Sequence, residues 1–136
     1  MNRITLLYSL ICLGTFSFFQ SCSDAPYAGE ITVSEFTKVG PSEKTIARLE
    51  INGMMCEVGC VAKVKKELLA EEGVSNVKID FKKGREFNFA SIEYDPTHVD
   101  VQSLSAVVND IADGKLYGVK SIEVTYFAPA ASSSEE

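Results

Sequence analysis

The chain has 136 residues, 46% hydrophobic and 24% charged, with 13 basic against 19 acidic side chains and four cysteines. That length accommodates one small core, and the acidic balance argues against nucleic acid, or direct electrostatic adhesion to anionic lipid, as the main partner. No Ser-His-Asp set, phosphate-cradling loop or carboxylate pair stands out, so the chain reads as a non-enzyme.

Met1-Asn2-Arg3 supplies a short positive end, residues 4–19 form an apolar run without a charge, and Gln20-Ser21-Cys22 follows. A membrane-spanning helix needs about twenty apolar residues, and this run is shorter and polar at its far end, so residues 1–21 read as a removable signal peptide. Phe19-Gln20-Ser21-Cys22 resembles a bacterial lipoprotein box, in which a small residue precedes a cysteine that is lipidated and becomes the new N-terminus. Ser21 and Cys22 fit that pattern; Phe19 and Gln20 depart from it, which leaves ordinary cleavage and free secretion or periplasmic release as the alternative. The resemblance implies an exported lipoprotein of a bacterial envelope, held at the membrane through lipid on Cys22 without spanning it. Losing residues 1–21 removes only Arg3 among the charged groups and leaves 12 basic against 19 acidic side chains.

Residues 22–42 contain Pro26, Gly29, Gly40 and Pro41, with little beyond Ile31-Thr32-Val33 and Phe36 to bury, and read as a tether carrying at most a short strand. Residues 128–136, Ala-Pro-Ala-Ala-Ser-Ser-Ser-Glu-Glu, lack aliphatic bulk and read as a disordered tail. The folded unit is expected over residues 43–127.

Within that unit residues 45–51 alternate as a strand that Asn52-Gly53 ends. Cys60, Val61, Val64 and Leu68 then recur at helical spacing with Lys63, Lys65 and Lys66 on the other side, and Gly73 stands where a helix stop belongs. Val77, Ile79 and Phe81 alternate with charged residues, Lys83-Gly84-Arg85 turns the chain, and Ala90, Ile92 and Tyr94 return. Asp95-Pro96 breaks that strand, Asp100 is placed to cap, and Val101, Leu104, Val107 or Val108, and Ile111 form a second amphipathic helix ending before Gly114. Ile122, Val124 and Tyr126 make a last strand. The order β-α-β-β-α-β predicts an α+β, ferredoxin-like sandwich: a four-stranded antiparallel sheet with both helices on one face.

Cys12 falls in the discarded run and Cys22 is the lipidation candidate, so Cys56 and Cys60 alone remain in the folded part. Cys56 belongs to the loop after the first strand and Cys60 to the first turn of a helix, whose free N–H groups and dipole favour a thiolate and lower the pKa of Cys60. Two thiolates on one small patch suit Cu(I), and with further ligands Zn(II) or Hg(II). The bland alternative is a structural disulfide, but closing so short a loop removes little chain entropy. A thiol-disulfide redox module using the same pair without metal is the rival function.

Gly53-Met54-Met55-Cys56, then Cys60 and a Val-Ala-Lys-Val-Lys-Lys-Glu-Leu helix, in this order of elements, is similar to a heavy-metal-associated domain of the copper-chaperone and mercury-scavenger type. The resemblance covers residues 44–127. It implies Cys56 and Cys60 as metal ligands, Met54 as a buried support beneath the loop and Gly53 as its turn residue. It also implies a metal transporter or acceptor protein as partner, to which the ion is passed unless it is simply sequestered. The family motif is Gly-Met-x-Cys-x-x-Cys, whereas this chain has Cys-Glu-Val-Gly-Cys; the extra residue lengthens the loop or delays the helix, with Gly59 expected to absorb an unusual backbone angle.

Met55 is a weaker candidate ligand through its thioether, though a Met beside a loop is more often packing. His98 reads as a lone solvated histidine and Glu57 as an acid favoured near a helix N-terminus. Lys63, Lys65 and Lys66 read as a solvated face, and Phe87, Phe89, Tyr117, Tyr126 and Phe127 as core and edge packing.

Overall fold

The computed structural model describes residues 29–129; Cys12, Cys22, the signal-peptide reading and most of the expected tail lie outside them. Seven elements follow in order: β1 (Thr32–Gly40), β2 (Lys44–Asn52), α1 (Gly59–Leu69), β3 (Val74–Asp80), β4 (Phe87–Tyr94), α2 (Val101–Asp110) and β5 (Gly118–Pro129). They form one sheet in the order β1-β5-β2-β4-β3, with the helices across one face.

The β-α-β-β-α-β order holds for β2 through β5, which are mutually antiparallel where they pair. The expected four-stranded antiparallel sheet is nevertheless corrected: the sheet has five strands and is mixed, because β1 runs parallel to β5 along its outer edge. Thr32, Val33, Phe36, Thr37 and Val39 give β1 the β-branched and aromatic content of a strand. The helices do not reach over it, so eight of its nine residues are exposed and no apolar alternation marks it. Residues 32–40, read from sequence as tether, are therefore part of the sheet, and Ala128 and Pro129, assigned to the tail, are the end of β5.

Ala47, Leu49 and Ile51 of β2, with Ala90 and Ile92 of β4 and Ile122 and Val124 of β5, turn to the helix side and are almost fully buried. Val64 and Leu68 of α1 and Leu104 and Val108 of α2 meet them from above, each with no exposed surface. The Asp100 carboxylate caps α2 by accepting from the Ser103 N–H at 2.7 Å. α1 stops at Leu69, four residues before Gly73, which takes a φ of +90° in the turn into β3.

Two ends follow from this register. β2 ends at Asn52 beside Phe87 of β4 and Gly118 of β5, so the loop after β2, the β3–β4 turn and the α2–β5 loop share one end of the sheet. The β1–β2 turn, the end of α1 and the start of α2 share the other.

Leu104→Ala should lower stability by about 2–5 kcal/mol, since it empties a fully buried site, whereas Val39→Ala on exposed β1 should stay within about 0.5 kcal/mol. Urea midpoints of the two variants at equal slope check this.

Candidate metal-binding site

β2 delivers the chain to a loop that the α2–β5 connection closes from below. Gly53 has a φ of +89°, and a Cβ there would lie 1.8 Å from the Leu116 carbonyl oxygen, so no other residue fits this contact. Met54 follows with its side chain buried at 4% exposure, and its carbonyl accepts from the Asn88 amide at 3.3 Å. Met55 then turns outward and is 78% exposed.

Cys56 lies exposed in the loop, Glu57 and Val58 form a turn, and α1 begins at Gly59, making Cys60 its second residue. The helix has no side-chain cap at Val58. Instead the Cys60 N–H donates to the Cys56 sulfur at 3.0 Å, so a cysteine sulfur takes up an otherwise unpaired donor of the first turn. Gly59 adopts ordinary helical backbone rather than the unusual angle expected of it. What its missing side chain provides is room, because a Cβ would stand 3.3 Å from the Cys56 sulfur.

The two sulfurs are 2.8 Å apart, with Cys56 donating its S–H to Cys60, and both cysteines are free. Burial pushes the Cys60 thiol up, but the Cys56 and Tyr117 side chains and the N–H groups of Met55 and Cys56 hydrogen-bond its sulfur and prevail, bringing it down to about 7. Near neutral pH Cys60 therefore carries a large share of thiolate. The Tyr117 hydroxyl is in turn pushed well above its ordinary range, first by burial and then by its hydrogen bond to Cys60 and the charge there.

Sequence reasoning reads Tyr117 as packing, and its place beside Cys60 has no local signal, since the contact joins the start of β5 to the start of α1. Asn88 is a second such residue. It is fully buried, and its carbonyl oxygen accepts the Lys82 N–H at 2.8 Å and Arg85 Nη2 at 3.2 Å while its amide holds the Met54 carbonyl. One side chain thus ties the cysteine loop to the β3–β4 turn. A polar residue in the inward phase of β4, between Ile51 and the loop, is the one mark of it in the sequence.

The other candidates stand away from the sulfurs. His98 pairs with Asp95 at 3.1 Å at the opposite end of the sheet, and Lys63 pairs with Glu67 at 2.9 Å along α1. Phe87 and Phe89 lie on the face without helices, beneath Lys120 and Arg48. Among the described residues no further His, Cys, Asp or Glu joins the two sulfurs to make a metal-holding group of three or more. A cleft of about 420 Å³ opens at the His98 end, between Glu43, Thr45, Gly73, Glu93 and Thr97, away from the cysteines. The sulfur pair therefore lies on a surface rather than in a pocket. No helix among the described residues is long and apolar enough to cross a membrane.

An α+β sheet whose first helix opens between two free cysteines defines a small thiol-bearing domain, and the comparisons with known proteins narrow the class. The profile of the Heavy-metal-associated domain matches residues 48–113, which span both cysteines. Among solved structures the chain is similar to oxidized MerP from Ralstonia metallidurans CH34, at 32% sequence identity over 56% of this chain and 97% of that one, with a TM-score of 0.45. No curated protein matches significantly. On the profile match and the identity across nearly the whole of that relative, the chain belongs to the heavy-metal-associated domain family.

Alkylation of the metal-free protein by iodoacetamide should rise through a midpoint near pH 7, because the lowered Cys60 pKa makes thiolate available well below the ordinary thiol range. Tyr117→Phe removes a donor to that thiolate, so the midpoint should move up and the rate at pH 7 fall. Mass-resolved alkylation rates against pH read both. Asn88→Ala strands the buried Met54 carbonyl and Lys82 N–H and should cost about 1–3 kcal/mol in a urea titration.

Proposed function

We propose that Cys56 and Cys60 bind one thiophilic metal ion, Cu(I) in the first place, and that the chain sequesters it or passes it to a membrane transporter or acceptor protein. The observation that carries this reading is the sulfur pair itself: two thiols in contact on an exposed loop, one already drawn toward thiolate. Binding needs both as thiolates, so metal uptake releases the protons the pair still holds.

The donor set fits a soft ion better than a hard one, because it is sulfur alone. Its spacing has to change. With metal–sulfur bonds of about 2.3 Å, a tetrahedral angle sets the sulfurs about 3.8 Å apart and a linear one about 4.6 Å. The sulfurs stand 2.8 Å apart, so the loop carrying Cys56 must open by about 1–2 Å. Cu(I) and Hg(II), which accept two-coordinate sulfur sites, suit it most directly; Zn(II) calls for further ligands, for which the exposed Met55 thioether is a poor donor. The resemblance to mercury scavengers keeps Hg(II) as the second cargo.

Anchoring belongs to the same reading: a bacterial signal peptide over residues 1–21, lipid on Cys22, and a domain held outside the cytoplasmic membrane. The short sulfur contact and the low Cys60 pKa favour one competing function, a thiol-disulfide redox module, since a thiolate beside a partner thiol is also the arrangement that oxidises and exchanges readily.

The mature chain with Cys22→Ser, reduced and free of oxygen, should retain about one Cu(I) against a competing chelator, with Cys56→Ser and Cys60→Ser each abolishing retention while leaving the urea midpoint nearly unchanged. Absence of retained metal, together with ready air oxidation of the pair, would replace metal binding with the redox reading. β1 belongs in the protein tested, because it completes the sheet.

A further inference from the structure

The two margins of the sheet are built differently. β3, at one margin, is guarded as edge strands usually are: it has seven residues, its pairing slips between Val74 and Asn76, and Ser75, Asn76, Lys78 and Asp80 stand exposed along it. β1, at the other, runs nine residues against β5 without a slip, and nothing among the described residues covers its outer side. Such an edge presents a row of N–H and C=O groups to any strand that can lie beside it.

Its side chains are also unusual for an exposed strand. Only Glu35 and Lys38 are charged, while Val33, Phe36 and Val39 are exposed at 39%, 48% and 75%. Val33 is in register with Ile122 on the helix side of the sheet, and Phe36 with Thr125 on the open side, so both faces of β1 carry apolar surface. Neither helix packs over the strand, which leaves a second sheet free to approach in the same plane.

The strand is complementary to a reversed copy of itself. In an antiparallel pair, side chains opposite one another share a face, so a two-fold axis through the sheet pairs odd-numbered residues with odd and even with even. Centred on Phe36, all nine residues pair: Phe36 meets Phe36 of the second copy, Val33 meets Val39 at both ends, Glu35 meets Thr37 and Lys38 meets Ser34. Sliding by two residues either way leaves two of the nine unpaired. One slide also sets Glu35 against Glu35, and the other sets Val39 against Glu35 and Phe36 against Lys38. In the centred register the two Glu35 carboxylates are only diagonal neighbours, about 7–8 Å apart. The full pairing forms about eight to ten backbone hydrogen bonds, as many as an ordinary interface.

We infer that the chain associates with a second copy of itself through β1, antiparallel and centred on Phe36, joining two five-stranded sheets into one. Self-complementarity of this side-chain row selects a second copy over an unrelated strand. The contact is little more than the two strands, so it is weak and depends on concentration. It goes beyond the metal-binding reading and does not depend on it, since β1 lies outside the stretch that defines the family. Thr32, where β1 starts, is in register with Ser121, which pairs with Glu50 near the cysteine end of β2. Reversing the second copy therefore sends the two sulfur pairs to opposite ends of the joined sheet, where each remains a separate site.

Residues 22–136 with Cys22→Ser, reduced and metal-free, test this by sedimentation velocity over a concentration series. The protein should pass from monomer to dimer. Phe36→Lys, which places like charges opposite one another at the axis, should raise the dissociation constant at least about tenfold, while Cys56→Ser with Cys60→Ser should leave it unchanged. A monomer up to about 1 mM, as when another segment or another protein takes the edge, overturns the inference. A dimer that survives Phe36→Lys, or one lost with the two cysteines, overturns it as well. The register is read in a Cys22→Ser, Cys56→Ser, Cys60→Ser background, which also decides the matter should Phe36→Lys fail to fold. An oxidised mixture of Val33→Cys and Val39→Cys copies should form mixed disulfide dimers, because these positions face each other with Cα atoms about 4.5–5.5 Å apart. Either variant alone should not cross-link, its two thiols lying about 20 Å apart. Cross-linking of each variant with itself as readily as with the other, or of neither, overturns the pairing.

Discussion

The close approach of Gly53 to the Leu116 carbonyl is the contact on which the site depends. It brings the loop after β2 and the loop before β5 within a distance that a single methyl group would forbid. From it follow the burial of Met54, the outward turn of Met55 and the position of Tyr117 against Cys60. Asn88 performs the corresponding task from the β3–β4 side, by hydrogen bonds rather than by steric fit. A loop tied at both flanks can carry an exposed and reactive pair without itself collapsing onto the core.

The electrostatics of Cys60 are a contest between desolvation and hydrogen bonding. Burial alone would hold the thiol protonated and inert. Four donors reverse that, two from side chains and two from the loop backbone. The helix contributes in a less direct way than its dipole suggests, since its free N–H at Cys60 serves the Cys56 sulfur. The charge is thus stabilised by the loop that wraps the helix start as much as by the helix itself.

The sheet order of β2 through β5 is readable from sequence because every one of those strands has one face on the core, and Ala47-Leu49-Ile51 or Ala90-Ile92 records it as alternation. β1 is not, because Val33, Phe36 and Val39 lie beyond the helices, where neither phase is selected for apolar side chains. Its partner β5 is also distant in the chain, so no turn announces the pairing. Within the site, the residues at Gly53, Met54, Cys56 and Cys60 are adjacent in sequence and stand out together as a motif. Tyr117 and Asn88 meet them only through tertiary structure. Gly59 shows the limit of a propensity argument: glycine is useful there for the volume it leaves to a sulfur, and its backbone freedom goes unused.

The two cysteines are unlike in their restraint, and that bears on how a single extra residue can be accommodated. Cys60 is held in the first turn of α1. Cys56 is exposed and its sulfur accepts one backbone N–H. Any widening of the pair, whether toward about 3.8 Å or about 4.6 Å, is therefore borne by Cys56 and the Glu57-Val58-Gly59 segment, with the helix left in place. A longer loop makes that movement cheaper in backbone strain and dearer in ordering entropy, because one more residue is fixed when the metal is held. On the proposed metal-binding role, the Cys-x3-Cys spacing would trade some rigidity of a bound state for ease of opening, as suits an exposed site that hands its ion on.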